Sequence, residues 1–284
     1  MTRVAYLGPE GTNSHEALLN ASAAEQLELV SLPTVYDCVM AVEAGEAERA
    51  FVPIENALEG PVNATLDALA VETEDVEIVG EHVHPIHTCL IARAPIELSA
   101  VETVVSHPQS LGQCAHFLRT RLPQARVLAA SSTAEAVRMV AEREDGAGAA
   151  LGSRIAAELY GGVVLCADVD DAAGNETRFV WLERRDGATP STAAGDPGPW
   201  KTAIVFWGVG AEAPGWLVRC LSEFAFRGVN LTRIESRPRK QGLGRYMFFL
   251  DLEGSAAEGP VAEALAALRT HVEHLRVLGS FPAA

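Results

Sequence analysis

Residues 174–185 read GNETRFVWLERR, in which a short apolar run at 179–182 opens with a threonine and an arginine. A continuous apolar run of this length is typical of a strand buried on both faces of a sheet. Open α/β sheets gather their ligands at strand ends. Thr177 and Arg178 are therefore either a solvated rim or candidate ligand contacts, and the rest of the sequence has to separate these alternatives.

Upstream of this stretch, short apolar runs alternate with helix-like patterns, which predicts an α/β fold with parallel sheets covered by helices. Ser132 is followed three residues later by Glu135, the spacing of a capping box at a helix start. Another predicted helix stops at the glycines at 161 and 162. The predicted strands lie at 4–7, 27–32, 50–54, 76–93, 103–107, 126–130, 149–152 and 163–169.

Downstream, residues 185–199 contain three prolines, three glycines and no large apolar residue, which is typical of a linker. Beyond it the pattern predicts strand, helix, two strands, helix and strand. That βαββαβ order is the ferredoxin-like arrangement. It predicts a separate domain at 200–284, with strands at 202–207, 229–236, 246–252 and 274–278 and helices at about 214–227 and 259–270.

The composition bounds the function of the 284-residue chain. Its formal net charge of −16 argues against nucleic acid as a partner, because that affinity depends on clustered basic residues. The N-terminus lacks the apolar core of a signal peptide, and no run of about 20 apolar residues predicts a membrane span. The five cysteines are odd in number and show no CxxC spacing, so we expect buried free thiols in a cytoplasmic protein.

Three more strand ends carry polar residues suited to ligand contact. GPEGT at 8–12 joins a strand to a helix, where backbone N–H groups can meet an anion, although a plain tight turn is the alternative. Asn56 offers both a donor and an acceptor, but an asparagine there can equally cap its own turn. Ser106 and Gln109 can donate into a cleft, whereas His107 before a proline is more often structural.

Other chemistries find less support in the sequence. Strand alternation places His82 and His84 on one face and His87 nearby, but no further residue completes a recognisable zinc site. The lysines, Lys201 and Lys240, lie far in sequence from every strand-end motif, which argues against a Schiff base. We therefore expect no cofactor and no metal.

Taken together, the motifs resemble prephenate dehydratases with a C-terminal ACT regulatory domain. The similarity spans nearly the whole chain, through YLGPEGT (6–12), VPIEN (52–56), SHPQ (106–109), NETRF (175–179) and ESRP (235–238). The resemblance implies a catalytic domain at 1–184 with two lobes, similar to periplasmic binding proteins, followed by the linker and the ACT domain. Lobe 1 would comprise about 1–80 and 167–184, and lobe 2 about 81–166.

The resemblance also implies conversion of prephenate to phenylpyruvate with loss of carbon dioxide and water. Thr177 would then assist the leaving hydroxyl, and Arg178 would neutralise a substrate carboxylate. The remaining predicted substrate contacts are Thr12, Asn56, Ser106, Gln109 and Phe179. On this interpretation, the strand begins with threonine and arginine because this end of the strand lies at the active site.

For the C-terminal domain, the resemblance implies feedback regulation by phenylalanine. It also implies a homodimer or homotetramer in which the effector binds at the interfaces between subunits. The predicted effector contacts are Gly215, Trp216, Leu217, Val218, Glu235, Ser236, Arg237 and Pro238. Trp216 departs from the family, which has a small alanine there, and is expected to crowd the pocket. Asn13 and Ala57 also replace the usual residues near the catalytic loops. A domain serving only for dimerisation is the alternative.

Three other functions remain as alternatives. A ligand-binding module would share the two-lobed architecture but would carry an export signal. A prephenate decarboxylase without aromatisation is disfavoured because Thr177 is retained. An arogenate dehydratase differs only in the substrate's amino group, and the sequence does not separate it from a prephenate enzyme.

Overall fold

The computed structural model describes residues 1–22, 26–143, 146–185, 199–208, 210, 213–257 and 259–284. The predicted linker at 185–199 lies almost entirely outside these residues. Within them, no helix combines the length and apolar character needed to cross a bilayer.

Strands and helices alternate through most of the described chain. The strands are β1 (Thr2–Leu7), β2 (Leu27–Leu32), β3 (Arg49–Asn56), β4 (Gly60–Pro61), β5 (Val76–Pro85), β6 (Cys89–Ala92), β7 (Thr103–Ser106), β8 (Arg126–Ala129), β9 (Gly148–Gly152), β10 (Val163–Cys166), β11 (Glu176–Arg184), β12 (Trp200–Trp207), β13 (Leu231–Pro238), β14 (Tyr246–Glu253) and β15 (His274–Pro282). The helices are α1 (Asn13–Ala21), α2 (Val35–Glu43), α3 (Asn63–Asp67, continued by a π-helical turn at Ala68–Glu72), α4 (Pro108–Gln113), α5 (Ala115–Arg121), α6 (Thr133–Glu142), α7 (Arg154–Tyr160), α8 (Trp216–Ala225) and α9 (Gly259–Leu268).

Two compact units divide the chain. The first comprises Met1–Cys38, Glu55–Gly60 and Val83–Phe179, and the second comprises Val39–Ile54, Pro61–His82 and Val180–Ala284. The second unit thus combines part of the predicted catalytic domain with all of the described C-terminal domain.

The first unit contains the parallel pair β1–β2 and a five-stranded sheet in the order β10-β6-β9-β7-β8. Neighbouring residues such as Leu90 and Ile91 enter different core clusters, so both faces of this sheet are covered. These five strands fall within 81–166, the predicted second lobe.

The alternating pattern of the sequence predicts parallel pairing, and for β6 this prediction is wrong. β7 pairs in parallel with β8 and β9, whereas β6 runs antiparallel to both β9 and β10. β6 follows β5 through a short link at 86–88 that contains no helix. Parallel neighbours have to be joined by a crossover connection, usually a helix. Because β6 is reached without one, it can run antiparallel to its neighbours.

The second unit confirms the predicted βαββαβ order, with β12, α8, β13, β14, α9 and β15 in sequence. Their antiparallel sheet has the order β13-β14-β12-β15, and its core contains Phe206, Trp216, Phe224 and Leu250. The same unit contains 49–54 of β3, 180–184 of β11 and 76–82 of β5, which lie side by side in the order β3-β11-β5.

Helix boundaries follow the local signals. The Ser132 hydroxyl accepts a hydrogen bond from the Glu135 N–H at 3.0 Å, as the capping-box spacing predicts. The Glu135 carboxylate turns instead to Arg138, at 2.7 and 2.9 Å. α7 ends at Gly161, whose φ of +72° is a left-handed conformation that favours glycine.

Candidate active site

The opening of β11 carries Thr177 and Phe179 on one face and Arg178 on the other, because successive strand residues point to opposite sides. The Thr177 residue is 8% exposed and Phe179 is 1% exposed. The Phe179 ring therefore packs in the core and offers little surface to a ligand. Its contact with substrate stays a prediction.

Asn56 is the last residue of β3, and both the oxygen and the nitrogen of its side-chain amide make hydrogen bonds. Its Oδ1 accepts hydrogen bonds from the backbone N–H groups of Leu58 and Glu59, each at 3.0 Å. Because N–H groups only donate, these contacts fix which end of the amide is oxygen. The Asn56 Nδ2 must then face Thr177, and it lies 2.9 Å from the Thr177 Oγ1.

This geometry confirms that Asn56 caps its own turn and adds a contact with Thr177 that the sequence did not predict, while its contact with substrate stays a prediction. Its carbonyl caps its own turn, and its NH2 group donates to the hydroxyl of Thr177. A hydroxyl that accepts from a neighbour keeps its own proton for another partner. Thr177 is therefore prepared to donate a hydrogen bond.

Three residues missed by sequence reasoning extend this network. Asn175 Oδ1 accepts from Asn56 Nδ2 at 2.9 Å, and Gln113 Nε2 donates to Glu59 Oε1 at 3.1 Å. Asn175 Nδ2 and Gln113 Oε1 lie 3.5 Å apart and join the two pairs. A signal for Gln113 was present, because it follows Gln109 by four residues, the spacing that places two side chains on one helix face.

Arg178 lies against Glu55, the residue before Asn56. Its Nη1 is 3.6 Å from the Glu55 Oε2, and the Arg178 side chain is 11% exposed. The separation is short enough for an ion pair but longer than a good charged hydrogen bond. The guanidinium is thus held beside a carboxylate, and any anionic ligand of Arg178 would have to compete with that carboxylate.

The loop at 8–12 is fixed from within the protein. Gly8 passes so close to the Ser31 hydroxyl that a Cβ at this position would overlap it, which explains the glycine. Gly11 has a φ of +82°, and its N–H donates to the His15 Nδ1 at 3.1 Å. Burial lowers the pKa of His15, which favours the neutral ring that this bond requires.

The Thr12 side chain is also engaged. Its hydroxyl donates to the Leu7 carbonyl at 3.2 Å and accepts from the His15 N–H at 3.4 Å, so Thr12 is the N-cap of α1. Its contact with substrate stays a prediction, and it would require one of these bonds to be exchanged.

The SHPQ segment separates into buried and exposed parts. Ser106 is fully buried and donates to the Leu151 carbonyl at 2.8 Å, so its hydroxyl serves the fold in this structure. His107 caps α4 by accepting from the Gln109 N–H at 3.3 Å, which agrees with its structural interpretation. The Gln109 residue is exposed, so of these residues it is the one placed to meet a ligand.

The three histidines at 82–87 have three different neighbours. His82 lies near the Phe51 ring, His84 lies 3.8 Å from the Glu16 carboxylate, and His87 lies 2.8 Å from the Asp168 carboxylate. Across the residues that the structure describes, no group of three or more His, Cys, Asp or Glu residues is arranged to hold a metal ion.

The cysteines are free, and four of the five are buried, as the sequence predicted. Burial raises the pKa of both Cys38 and Cys114 to about 12. A thiol with so high a pKa is a poor nucleophile at neutral pH.

Of the predicted effector residues, Trp216 is buried. Its indole is buried in the core of the C-terminal sheet, tilted against the rings of Phe206 and Phe248. The indole N–H donates to the His271 carbonyl at 2.9 Å. Trp216 therefore anchors the start of α8 from inside, and its crowding of an effector pocket stays a prediction.

Replacing Trp216 with alanine is expected to destabilise the C-terminal domain by about 3–5 kcal/mol, the usual cost of removing a buried aromatic side chain. Thermal unfolding measures the change, and Trp216→Phe is the matched control because it keeps much of the packing. An unchanged melting temperature together with new phenylalanine binding in Trp216→Ala would support crowding instead.

The other predicted effector residues lie at the start of α8 and at the end of β13, and of these Leu217 packs partly buried against the core of the C-terminal sheet. Gly215 precedes α8 in a left-handed conformation, and Val218 is exposed on its first turn. The segment 235–238 ends β13, which is an outer strand of its sheet. Arg237 binds Asp67 through two contacts, at 2.9 and 3.2 Å. Its predicted contact with an effector would have to be compatible with this pair.

Known proteins show close similarity to this chain. Residues 4–187 match the prephenate dehydratase family model, a span that includes every candidate substrate contact but none of the predicted effector contacts. The prephenate dehydratase of Amycolatopsis methanolica is 42% identical over 281 residues, covering 99% of this chain and 88% of that protein. The enzyme of the same name from Mycobacteroides abscessus is 40% identical over 289 residues, covering 99% of this chain and 90% of that protein.

A solved structure agrees with these sequence relatives. The prephenate dehydratase of Arthrobacter aurescens in complex with L-Phe superposes with a TM-score of 0.87 at 37% identity, covering 99% of this chain and 89% of that one. The motifs, the geometry around Thr177 and these similarities lead to one assignment: the chain belongs to the prephenate dehydratase family.

Proposed function

We propose that this protein converts prephenate to phenylpyruvate in phenylalanine biosynthesis, with Thr177 assisting departure of the hydroxyl. This proposal is supported above all by the 2.9 Å contact from Asn56 Nδ2 to Thr177 Oγ1. Since the Asn56 carbonyl is fixed by backbone donors, this contact leaves the Thr177 proton for another partner.

The proposed reaction requires the types of residue that the candidate site contains. The bond from the ring to its carboxylate breaks and releases carbon dioxide, and its electron pair moves through the ring to expel the hydroxyl on the opposite carbon. Aromatisation drives the step, and the departing hydroxide takes one proton to become water. The protein therefore has to hold two carboxylates and place one donor at the leaving oxygen.

Thr177 is suited to that donor role by position rather than by acidity. An alcohol is a weak acid, but a pre-oriented hydrogen bond to developing charge needs no reorganisation during the reaction. Solvent can restore the proton after each turnover.

We assign Arg178 to a substrate carboxylate. Its guanidinium can meet a carboxylate through two parallel hydrogen bonds. Because it lies on the other face of β11 from Thr177, we assign the two residues to different parts of the substrate. We retain Gln109 as an exposed donor, and Thr12, Ser106 and Phe179 as further candidates.

The activity is tested by supplying prephenate and arogenate separately to the purified protein and following the aromatic products. We expect phenylpyruvate from prephenate, with the rate unaltered by prior dialysis against a chelator. Binding without turnover would indicate a ligand-binding module. Faster formation of phenylalanine from arogenate would assign the related dehydratase activity.

We further propose that residues 1–184 form a two-lobed catalytic domain and that 200–284 form an ACT domain through which phenylalanine regulates activity, in a homodimer or homotetramer. The βαββαβ topology and the similarity to an enzyme solved with L-Phe support this proposal. The ESRP segment at 235–238 and the entry to α8 remain the proposed effector contacts.

Contacts inside the second unit offer a route for such regulation. Arg237 of the ESRP segment pairs with Asp67 on α3, and Lys240 lies 3.0 Å from the same carboxylate. Burial alone raises the pKa of Asp67, but the hydrogen bonds from Arg237 and Lys240 outweigh it and hold the pKa below its usual value. The carboxylate is therefore charged and firmly paired at neutral pH.

α3 is in turn connected to the strand that leads to the active site. The Thr65 hydroxyl donates to the Pro53 carbonyl of β3 at 2.5 Å, and Asn56 is the last residue of that strand. From β15, Arg276 donates to the carbonyls of Leu69, Thr73 and Val76 around the π-helical turn. Movement of the ESRP segment would thus be transmitted to β3 through α3.

Asp67→Asn is expected to reduce the effect of phenylalanine on activity about 5-fold or more, the lower end of usual coupling strengths, while leaving phenylalanine binding intact. The substitution removes the charge that holds Arg237 but lies outside the proposed effector contacts. Calorimetry measures binding, and titration of activity measures coupling. Arg245→Gln, which removes an exposed charge at the same end of the sheet, is the matched control.

An unchanged activity response in Asp67→Asn would exclude this route. No binding heat and a flat activity curve in the wild type would reduce the C-terminal domain to a dimerisation surface.

A further inference from the structure

We infer that Asn175, Gln113 and Glu59 form a directional hydrogen-bond relay that holds the Asn56 amide against Thr177, which makes them positioning residues for the reaction. This inference rests on the proposed function, because the relay acts through the hydroxyl of Thr177.

The first step is the Asn56 amide, whose oxygen is already fixed by two backbone donors. Its Nδ2 carries two hydrogens. It lies 2.9 Å from both the Asn175 Oδ1 and the Thr177 Oγ1, with the Glu176 carbonyl at 3.1 Å. The contact with Asn175 therefore fixes the plane of the amide and so the direction of its bond to Thr177.

The second step is the orientation of Asn175, which is 5% exposed. Its Oδ1 has to face Asn56, since two NH2 groups cannot hydrogen-bond to each other. Its Nδ2 then faces the Gln113 Oε1 at 3.5 Å. If the Asn175 amide turned over, its NH2 group would displace Asn56 from the position that holds Thr177.

The third step is the end of the relay at Glu59. An ionised carboxylate only accepts hydrogen bonds, so the Gln113 Nε2, 3.1 Å from the Glu59 Oε1, has to be the donor. The Gln113 oxygen is thereby directed to Asn175. Both ends of the relay impose the same orientation, the carboxylate at one end and the backbone N–H groups of Leu58 and Glu59 at the other.

The backbones that carry these side chains are also held. The Gln113 carbonyl accepts from the Asp171 N–H, and the Asn175 carbonyl accepts from the Ile86 N–H, each at 2.8 Å. Aligned hydrogen bonds polarise one another, and a hydroxyl that accepts such a bond becomes a better donor. The relay thus orients the Thr177 proton and strengthens the bond that it makes.

The test is a double-mutant cycle in the full-length protein. Gln113→Leu keeps the size of the side chain but removes both hydrogen bonds. We expect kcat for prephenate to fall roughly tenfold, less than the roughly 100-fold or more contributed by the positioned proton donor itself, with KM changed less than about twofold. In a Thr177→Ala background the same substitution should cause no further loss, because the group that it orients is gone.

Gln124→Leu is the matched control, because Gln124 donates to two backbone carbonyls elsewhere in the first unit, at 3.0 and 3.3 Å. Glu59→Gln is the second variant, in case Gln113→Leu fails to fold. The side chain at this exposed position can then donate as well as accept hydrogen bonds. kcat should fall less than in Gln113→Leu, and this loss too should disappear in a Thr177→Ala background.

Wild-type kcat in both Gln113→Leu and Glu59→Gln would overturn the relay while leaving the proposed function intact. Equal losses with and without Thr177 would also overturn it, since they would indicate a structural role. A wild-type protein that does not convert prephenate would overturn both proposals.

Discussion

Replacing Thr177 with alanine is expected to lower kcat about 100-fold or more while the fold is retained, the usual scale for a positioned proton donor. The hydroxyl accepts from Asn56 Nδ2 at 2.9 Å, so its own proton is free to meet the leaving oxygen. Steady-state kinetics with prephenate measures the loss, and thermal unfolding reports whether the protein stays folded.

Two further variants separate the hydroxyl from the shape of the side chain. Thr177→Ser keeps the hydroxyl and should retain more activity than Thr177→Ala. Thr177→Val keeps the branched shape that suits a buried strand position but removes the hydroxyl, so it should be as inactive as alanine. Near-normal turnover in folded Thr177→Val would remove this residue from the mechanism.

The second large effect is expected at Arg178, where lysine should raise KM for prephenate about 10-fold to 100-fold. Lysine keeps the positive charge but loses the planar, two-point contact with a carboxylate. A charged hydrogen bond contributes about 1.5–3 kcal/mol, which corresponds to this range. kcat should also fall if the same contact aligns the carboxylate that is lost.

Glu55 provides the comparison for this prediction, because its Oε2 lies 3.6 Å from the Arg178 Nη1. Glu55→Gln removes the competing charge and should not raise KM. If Arg178→Lys leaves KM unchanged but lowers the melting temperature, the arginine belongs to a structural ion pair with Glu55.

Much of the element order was predictable because apolar periodicity is a local property of the chain. The strand β2 has the predicted bounds at 27–32, and the C-terminal βαββαβ order holds throughout. Cap signals at Ser132 and Gly161 marked helix ends correctly. The direction of β6 escaped prediction because it depends on how its neighbours pair.

Burial of individual polar and aromatic side chains was the least predictable feature. Ser106 follows a strand as a ligand contact would, yet its hydroxyl is directed to the Leu151 carbonyl. Trp216 sits where the family resemblance predicts an effector pocket, but its indole packs inward. A side chain at a strand end or in the first turn of a helix can point either to the core or to the solvent. Tertiary packing decides which of the two it does.

The sequence by itself determined the family motifs, the positions of most strands and helices, and the residue types available at the strand ends. Only the tertiary structure decided their partners: Asn56 donates to Thr177 across 121 positions, and Arg237 pairs with Asp67 across 170. Secondary structure follows from neighbours within a few residues, whereas a hydrogen-bond partner depends on which distant strands pack side by side. For that reason the relay through Asn175 and Gln113 became visible only once the chain was folded.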